Sequence, residues 1–321
     1  MIDYWFGNYE YGTVGFIGLM VAFLATILAM WKGTKVLPKD QGRAFAHDGK
    51  LSEGKPRGAG FLFVMVFVAT SAVFCKMNVE YSIYLILITA AMMTGFLDDC
   101  AKTPWGEYKK GILDMVIAIM IAVTYLNFNT NEICIAIADT WITIPSVLFG
   151  FLIVVLVWTS INVTNCADGV DGLSGTLTII TLSGFYTVTL FGGRESEFAY
   201  MELLFIICIL GYLWFNATPS TLLMGDAGSR AMGLFIAIAA LKCKSPILYI
   251  LMAGVLIVDG GIGLLKVALL RFCKIHILKN TRTPLHDHVR KVWNWSNTHT
   301  VFRFAIIQIV LCICAVYFAL F

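Results

Sequence analysis

Charge is what this sequence has least of. Only 13% of its 321 residues are Asp, Glu, Lys or Arg, against 59% hydrophobic, and the mean hydropathy is +0.82. A soluble domain carries about twice that charge, so the composition points to an integral membrane protein. A net charge of +3 is too small to imply a polyanionic partner, and no nucleic acid is expected. Low-complexity tracts and a Gly-X-Y repeat are also missing, which excludes disorder and a collagen-like fibre. The nine cysteines include no C-x-x-C pair, so neither a zinc nor a dithiol centre is indicated. They read as small reduced hydrophobes in membrane helices or on the cytosolic side. Only seven prolines occur, at 38, 56, 104, 145, 219, 246 and 284. All fall in predicted loops or at span ends, where a missing amide donor costs least.

What is present is a series of runs near the roughly 20 apolar residues that a membrane helix needs. Charge-free stretches cover 11–31, 58–75, 81–97, 115–131, 140–167, 172–193, 203–225 and 304–321. Two weaker candidates are Ala227–Leu241, which is short, and Pro246–Leu270, which contains Asp259 and Lys266. The expected fold is therefore an all-α, polytopic membrane protein of about ten transmembrane helices, in one domain over 1–321. With the N-terminus outside, 18 of the 23 Lys and Arg fall on internal segments and four outside, so both termini are expected to be extracytoplasmic. The start, Met1-Ile2-Asp3-Tyr4, lacks a basic region, and the first span is expected to be a retained helix.

The polar residues collect at the predicted cytosolic ends. Asp98-Asp99-x-x-Lys102 closes the third span. Adjacent carboxylates repel unless a cation lies beside them, and hard oxygen ligands suit Mg²⁺. An interfacial acidic cap, with Lys102 pairing Asp98 at i,i+4, explains the same residues. Asn162-x-x-Asn165-x-x-Asp168-Gly169-x-Asp171-Gly172 follows a long uncharged stretch. Two Asp-Gly pairs within four residues break the helix and expose amides, which suits an oxygen-lined metal or phosphate site. Gly225-Asp226-Ala227-Gly228-Ser229 opens the eighth span, either as an anion-attracting helix end or as a simple cap. In Pro284-Leu285-His286-Asp287-His288 the neighbouring Arg282 and Arg290 favour phosphate over metal, against the alternative of a basic loop lying on anionic lipid. Gly54-Lys55-Pro56-Arg57-Gly58-x-Gly60 is a fifth cluster, basic and glycine-rich. Asp259 interrupts the ninth span before Gly260-Gly261 and is expected to support the cytosolic site from below. Brought together in one cleft, these parts suit phosphoryl transfer, where positioning and charge neutralisation dominate. A transporter would instead gather polar groups at the midplane in matched halves, and no internal repeat is found.

In this order and placement the motifs resemble the polyprenyl-phosphate N-acetylhexosamine-1-phosphate transferases across essentially the whole chain, and within them the branch that uses UDP-N-acetylmuramoyl-pentapeptide. The resemblance implies that this substrate and undecaprenyl phosphate give lipid I and UMP, with Mg²⁺, at the cytosolic face of a bacterial plasma membrane during peptidoglycan synthesis. A relative that transfers GlcNAc-1-phosphate is the alternative. Membrane lipid, and a second copy of the chain as a homodimer, complete the expected partners.

By carry-over, Asp226 is the principal metal ligand, with Asp168 beside it. Asp98 and Asp99 hold or deprotonate the lipid phosphate, or assist the metal. Asn162, Asn165, Asp168, Gly169, Asp171, Leu223, Gly225 and Ser229 line the nucleotide-sugar site. Lys50, Lys55, Lys102, Lys109 and Arg282 are the basic candidates, and His286 and His288 contact diphosphate. Three departures stand out: Asp287 replaces a middle histidine, Leu223 replaces an aromatic that stacks on uracil, and Lys-Pro-Arg-Gly-Ala replaces Thr-Pro-Thr-Met. The second pKa of a phosphate monoester is about 6, so the lipid phosphate is mostly dianionic at neutral pH. Asp98 is therefore expected to organise metal and lysine rather than abstract a proton.

Overall fold

The computed structural model describes residues 11–42, 52–138, 140–192 and 196–321. Arg43, His47, Lys50 and Arg194 lie outside the described residues. The chain runs as helices α1 (Tyr11–Gly33), α2 (Gly60–Phe74), α3 (Val79–Asp99), α4 (Glu107–Phe128), α5 (Ser146–Cys166), α6 (Leu173–Phe191), α7 (Ser196–Asn216) and α8 (Gly225–Lys242). A bent pair follows, α9 (Pro246–Met252) and α10 (Gly254–Cys273), then α11 (Leu285–Val292) and α12 (Asn297–Leu320). Strands β1 (Glu132–Ile135) and β2 (Thr140–Thr143) form an antiparallel hairpin between α4 and α5, with Ile133 opposite Ile142.

Among the described residues, seven helices are long and apolar enough to cross a membrane, or eight if the bent pair is one span. α2 has 15 residues, about 22 Å of helix, shorter than a hydrocarbon core of about 30 Å. α8 is enclosed by α2, α3, α5 and α6, and every one of its residues is buried. That enclosure permits Asp226, Arg230 and Lys242 in one helix, because each finds its partner inside the protein rather than facing lipid.

Three expected span boundaries need correction. The run 140–167 begins as strand β2, and its helix starts only at Ser146, after Pro145. The residues Thr140-Trp141-Ile142-Thr143 are β-branched or aromatic and find a partner strand in β1. The run 203–225 is helical only to Asn216. Asn216 accepts from the Gly172 amide at 2.8 Å and donates to the Leu222 carbonyl at 2.9 Å, which holds 217–224 as a loop. That loop pairs through the Leu223 amide with Pro56 O and through Leu223 O with the Ala59 amide. The segment 246–270 is bent by 69° between α9 and α10, and α10 carries a π-helical turn at Ile257–Gly261.

Glycines let α8 approach its neighbours closely. A methyl group on Gly95 of α3 would overlap the Asp226 carbonyl, and one on Gly233 would meet the backbone at Ser160 and Ile161. Gly95→Val is therefore expected to destabilise the bundle by about 1–3 kcal/mol through overpacking, seen as a lowered Tm in detergent.

Candidate active site

Four chain segments meet at one end of the bundle. α3 delivers Asp98 and Asp99 in its last turn. α4 delivers Lys110 and Asp114, α8 delivers Asp226 and Arg230, and the loop before α2 delivers Asp40 and Arg57. Arg57 is the hub between the carboxylates. Its Nε donates to Asp99 Oδ1 at 2.7 Å and its Nη1 to Asp40 Oδ1 at 3.0 Å, while Nη2 lies 3.5 Å from Asp226 Oδ1. Lys110 bridges the other side, ion-paired with Asp98 and donating to Asp226 Oδ2 at 2.9 Å. Arg230 donates to Asp114 Oδ1 at 2.7 Å, and its Nε lies 3.8 Å from Asp226 Oδ2. Asp226 is thus the one carboxylate in this group that faces all three cations.

Backbone amides complete the coordination of the acidic pair. Asp98 Oδ1 accepts from the Trp105 amide at 2.6 Å, and Asp99 Oδ2 from the Ala227 amide at 3.2 Å. Gly225 and Gly58, with φ of +73° and +82°, carry the chain through turns that a side chain would strain. A methyl on Gly225 would also run into the Asp99 carboxylate. Burial disfavours charge on Arg57, but Asp99, Asp226 and Asp40 outweigh it and raise its pKa further. Burial likewise opposes ionisation of Asp40, yet hydrogen bonds from Ser52 and Arg57, with the Arg57 charge, hold its carboxyl below the ordinary value.

A second group adjoins the first through the turn between α5 and α6. Asn165 donates to Ser229 Oγ at 2.9 Å, tying that turn to α8. Further along it, the Gly169 carbonyl accepts from Arg290 at 3.3 Å, and a methyl on Gly169 would collide with His286 Nε2. His286 is buried and doubly held by Asp259, whose Oδ1 accepts from the His286 amide at 2.7 Å and whose Oδ2 lies 2.8 Å from Nδ1. The π-helical turn presents Asp259 to α11, and Gly260 beside it packs against the Val163 carbonyl of α5. Asp259 thus orients an imidazole whose second nitrogen faces the Asp-Gly turn.

The remaining expected site residues are less concentrated. Asn162 donates to the Trp158 carbonyl at 2.8 Å and lies 3.5 Å from Asp114. Lys55 donates to Ser220 Oγ at 3.0 Å, and the Ser220 amide donates to Asp171 at 3.2 Å. Lys109 sits 3.3 Å over the Trp105 ring, and Lys102 is exposed. Asp98 is paired by Lys110, not by Lys102 as i,i+4 spacing suggests. Asp168 is half-buried in the turn, and Leu223 is half-buried with its backbone paired. His286 and His288 do not share a face. They lie in helix α11, where residues two apart point roughly 200° apart, so His288 turns to the exposed Arg282, accepting from its amide at 3.3 Å.

Five residues of the cluster are not among the expected site residues: Asp40, Arg57, Lys110, Asp114 and Arg230, of which Arg57 is noted only within the basic glycine-rich stretch. Asp114 carries a usable signal, an acid inside an apolar helix like Asp259. It escapes notice because it stands one residue before the charge-free run 115–131 and so reads as the polar edge of that span.

Comparison with known proteins adds to this geometry. Residues 81–244 match the family model described as glycosyl transferase family 4, and they contain every member of the acidic cluster except Asp40 and Arg57. Over 318 residues the chain is 39% identical to a phospho-N-acetylmuramoyl-pentapeptide-transferase of Treponema pallidum subsp. pallidum, covering 93% of this chain and 87% of the relative. The chain belongs to the phospho-N-acetylmuramoyl-pentapeptide-transferases of glycosyl transferase family 4. The member from the Nichols strain of Treponema pallidum matches to the same extent. The member from Clostridium acetobutylicum is 25% identical over 310 residues, covering 92% of this chain and 96% of its own length. As a family 4 transferase the chain is an enzyme, and its family segment ends at Lys244, before Asp259 and His286.

Proposed function

We propose that this transferase moves phospho-N-acetylmuramoyl-pentapeptide from its UDP carrier to undecaprenyl phosphate, giving lipid I and UMP, with ten membrane crossings, both termini outside and the site facing the cytosol of a bacterial plasma membrane. The observation that carries the reading is the imbalance of the acidic cluster. Five carboxylates, Asp40, Asp98, Asp99, Asp114 and Asp226, face three cations, Arg57, Lys110 and Arg230, a formal surplus of two negative charges.

That surplus fits a divalent cation. No group of three or more His, Cys, Asp or Glu of metal-holding geometry occurs among the described residues; Mg²⁺ asks less of the protein, since it keeps waters and takes one or two carboxylates plus substrate phosphates. Asp226 would hold it, with Asp98 or Asp168 as the second carboxylate. When bound, it neutralises charge on the diphosphate.

The lipid phosphate oxygen attacks the phosphorus bonded to the sugar. A new P–O bond forms there as the P–O bond to UMP breaks, and UMP leaves with that electron pair. Arg57 and Lys110, now held by carboxylates, lie within reach of incoming phosphate oxygens and would orient them for in-line attack. His286, fixed by Asp259, points Nε2 toward the turn that carries Asp168 and Asp171, a placement for a phosphate or sugar oxygen. Asp98 already accepts from Lys110 and the Trp105 amide, which suits organisation of the site better than proton abstraction.

The deciding assay supplies purified protein, Mg²⁺ and undecaprenyl phosphate with either UDP-N-acetylmuramoyl-pentapeptide or UDP-GlcNAc and measures UMP. Release only with the first is expected; release only with UDP-GlcNAc overturns the substrate, and release with neither overturns the transfer. Asp98→Asn is expected to lower turnover by about a hundredfold at every pH from about 5.5 to about 8.5. Loss confined to pH values below about 6, with recovery above, would assign Asp98 the role of base.

A further inference from the structure

At the opposite end of the bundle lies a second buried polar cluster that the transfer does not use. The fully buried Lys242 ammonium donates to Glu80 Oε1 at 3.0 Å, Glu80 Oε2 at 3.1 Å and Asn129 Oδ1 at 3.1 Å. Glu80 also accepts from Tyr84 OH at 2.8 Å and from Asn129 Nδ2 at 2.6 Å. Lys244 adds a further donor to Asn129 Oδ1 at 3.2 Å. Glu80 stands in the first turn of α3, Asn129 caps the end of α4, and Lys242 is the last residue of α8. Those three helices supply, from their other ends, Asp98 and Asp99, Lys110 and Asp114, and Asp226 and Arg230.

Desolvation offsets most of the Coulomb gain of a buried ion pair, and fixing register is the best-attested use of such a group. The geometry suits that use. α8 is an unbroken 18-residue rod, about 27 Å long, so a slip along its axis at Lys242 reaches Asp226 undiminished. α4 is joined to α8 by polar bridges at both ends: Lys110 to Asp226 and Asp114 to Arg230 at one, Asn129 to Lys242 and Tyr125 OH to the Leu241 carbonyl at the other. Without the far bridge, polar contacts hold α4 to α8 at the near end alone.

We propose that Glu80, Asn129 and Lys242 are positioning residues for the transfer, a register clamp that sets how α3, α4 and α8 stand against one another and so the spacing of the aspartates and Lys110 at the far end. The kinetic readout rests on the transfer reading, so the test includes one that does not. In the double variant Glu80→Leu/Lys242→Met the ion pair gives way to apolar side chains of similar reach, and Tm in detergent is expected to be kept. The kcat for UMP release is expected to fall on the order of tenfold or more, with KM little changed. Cys100, exposed beside Asp99 at the end of α3, reports the far end independently of activity, because its access to reagent depends on how that end packs. Its maleimide labelling rate, followed by peptide mass analysis, is expected to change severalfold in the same variant.

Unchanged kcat and unchanged Cys100 labelling at full Tm overturn the clamp, as does a kcat that falls only with the folded fraction. Should the double variant not fold, Lys242→Arg decides, since a planar fork cannot reproduce a point cation held by three acceptors: a severalfold lower kcat at unchanged Tm supports the clamp, and wild-type kcat overturns it. If the wild type releases no UMP, the transfer reading fails, and the Cys100 comparison alone judges the clamp.

Discussion

Asp226→Asn is expected to lower UMP release on the order of a thousandfold, with no recovery when Mg²⁺ is raised tenfold. Asp226 lies in the first turn of α8 and faces Lys110 at 2.9 Å, Arg57 at 3.5 Å and Arg230 at 3.8 Å. An amide of the same shape leaves three cations around a neutral group and cancels half of the two-charge surplus that we propose attracts a divalent cation. Removing one partner from a buried charge cluster also destabilises, by about 3–5 kcal/mol where burial is complete, so Tm is measured beside turnover. A loss of less than tenfold at full Tm would remove Asp226 from the centre of the site.

The second large effect is expected in the group that adjoins the acidic cluster. Asp259→Ala strips His286 of both its anchors, the amide bond at 2.7 Å and the ring contact at 2.8 Å. The imidazole then rotates freely in its pocket, and kcat/KM is expected to drop about a hundredfold. If Asp259 acts through His286, His286→Ala costs a similar factor and the double variant costs no more than His286→Ala alone, because residues that work as a unit are not additive. Additive losses would give Asp259 a separate task. The pair illustrates why one ionisable group inside an apolar helix repays attention: α10 bends and forms a π-helical turn, and that distortion aims the carboxylate at α11.

Legibility from sequence varied by element. The helices α1, α2, α3 and α6 agree with their charge-free runs to within two residues at either end, because the apolar run and the helix end at the same polar boundary. The runs 140–167 and 203–225 misled for a common reason: absence of charge marks where burial is tolerated, not where backbone stays helical. Thr140–Thr143 takes its hydrogen bonds from a partner strand, and 217–224 takes them from Asn216 and from the segment before α2. Within the site, Asp98, Asp99, Asp226, Asn165, Gly169 and His286 were visible as motif members. Arg57 was visible only as part of a basic glycine-rich stretch, and Lys110 only as one of many internal basic residues.

The sequence by itself determined that the chain spans a membrane, that its acidic and amide motifs lie near helix ends, and that they belong to one transferase family. Those properties are local: a run of apolar residues excludes charge wherever it sits in the fold, and a motif's spacing is written along the chain. The tertiary structure alone decided the pairing. Asp98 takes Lys110, twelve residues away, rather than Lys102 at four, Arg57 reaches three aspartates from three separate segments, and Asp114 finds Arg230 across 116 positions. A buried charge must find an opposite charge or a hydrogen bond where water is absent, and which partner is near depends on how α3, α4 and α8 lie against one another. That alignment is a property of the packed bundle, in which glycines such as Gly95 set how closely the helices approach.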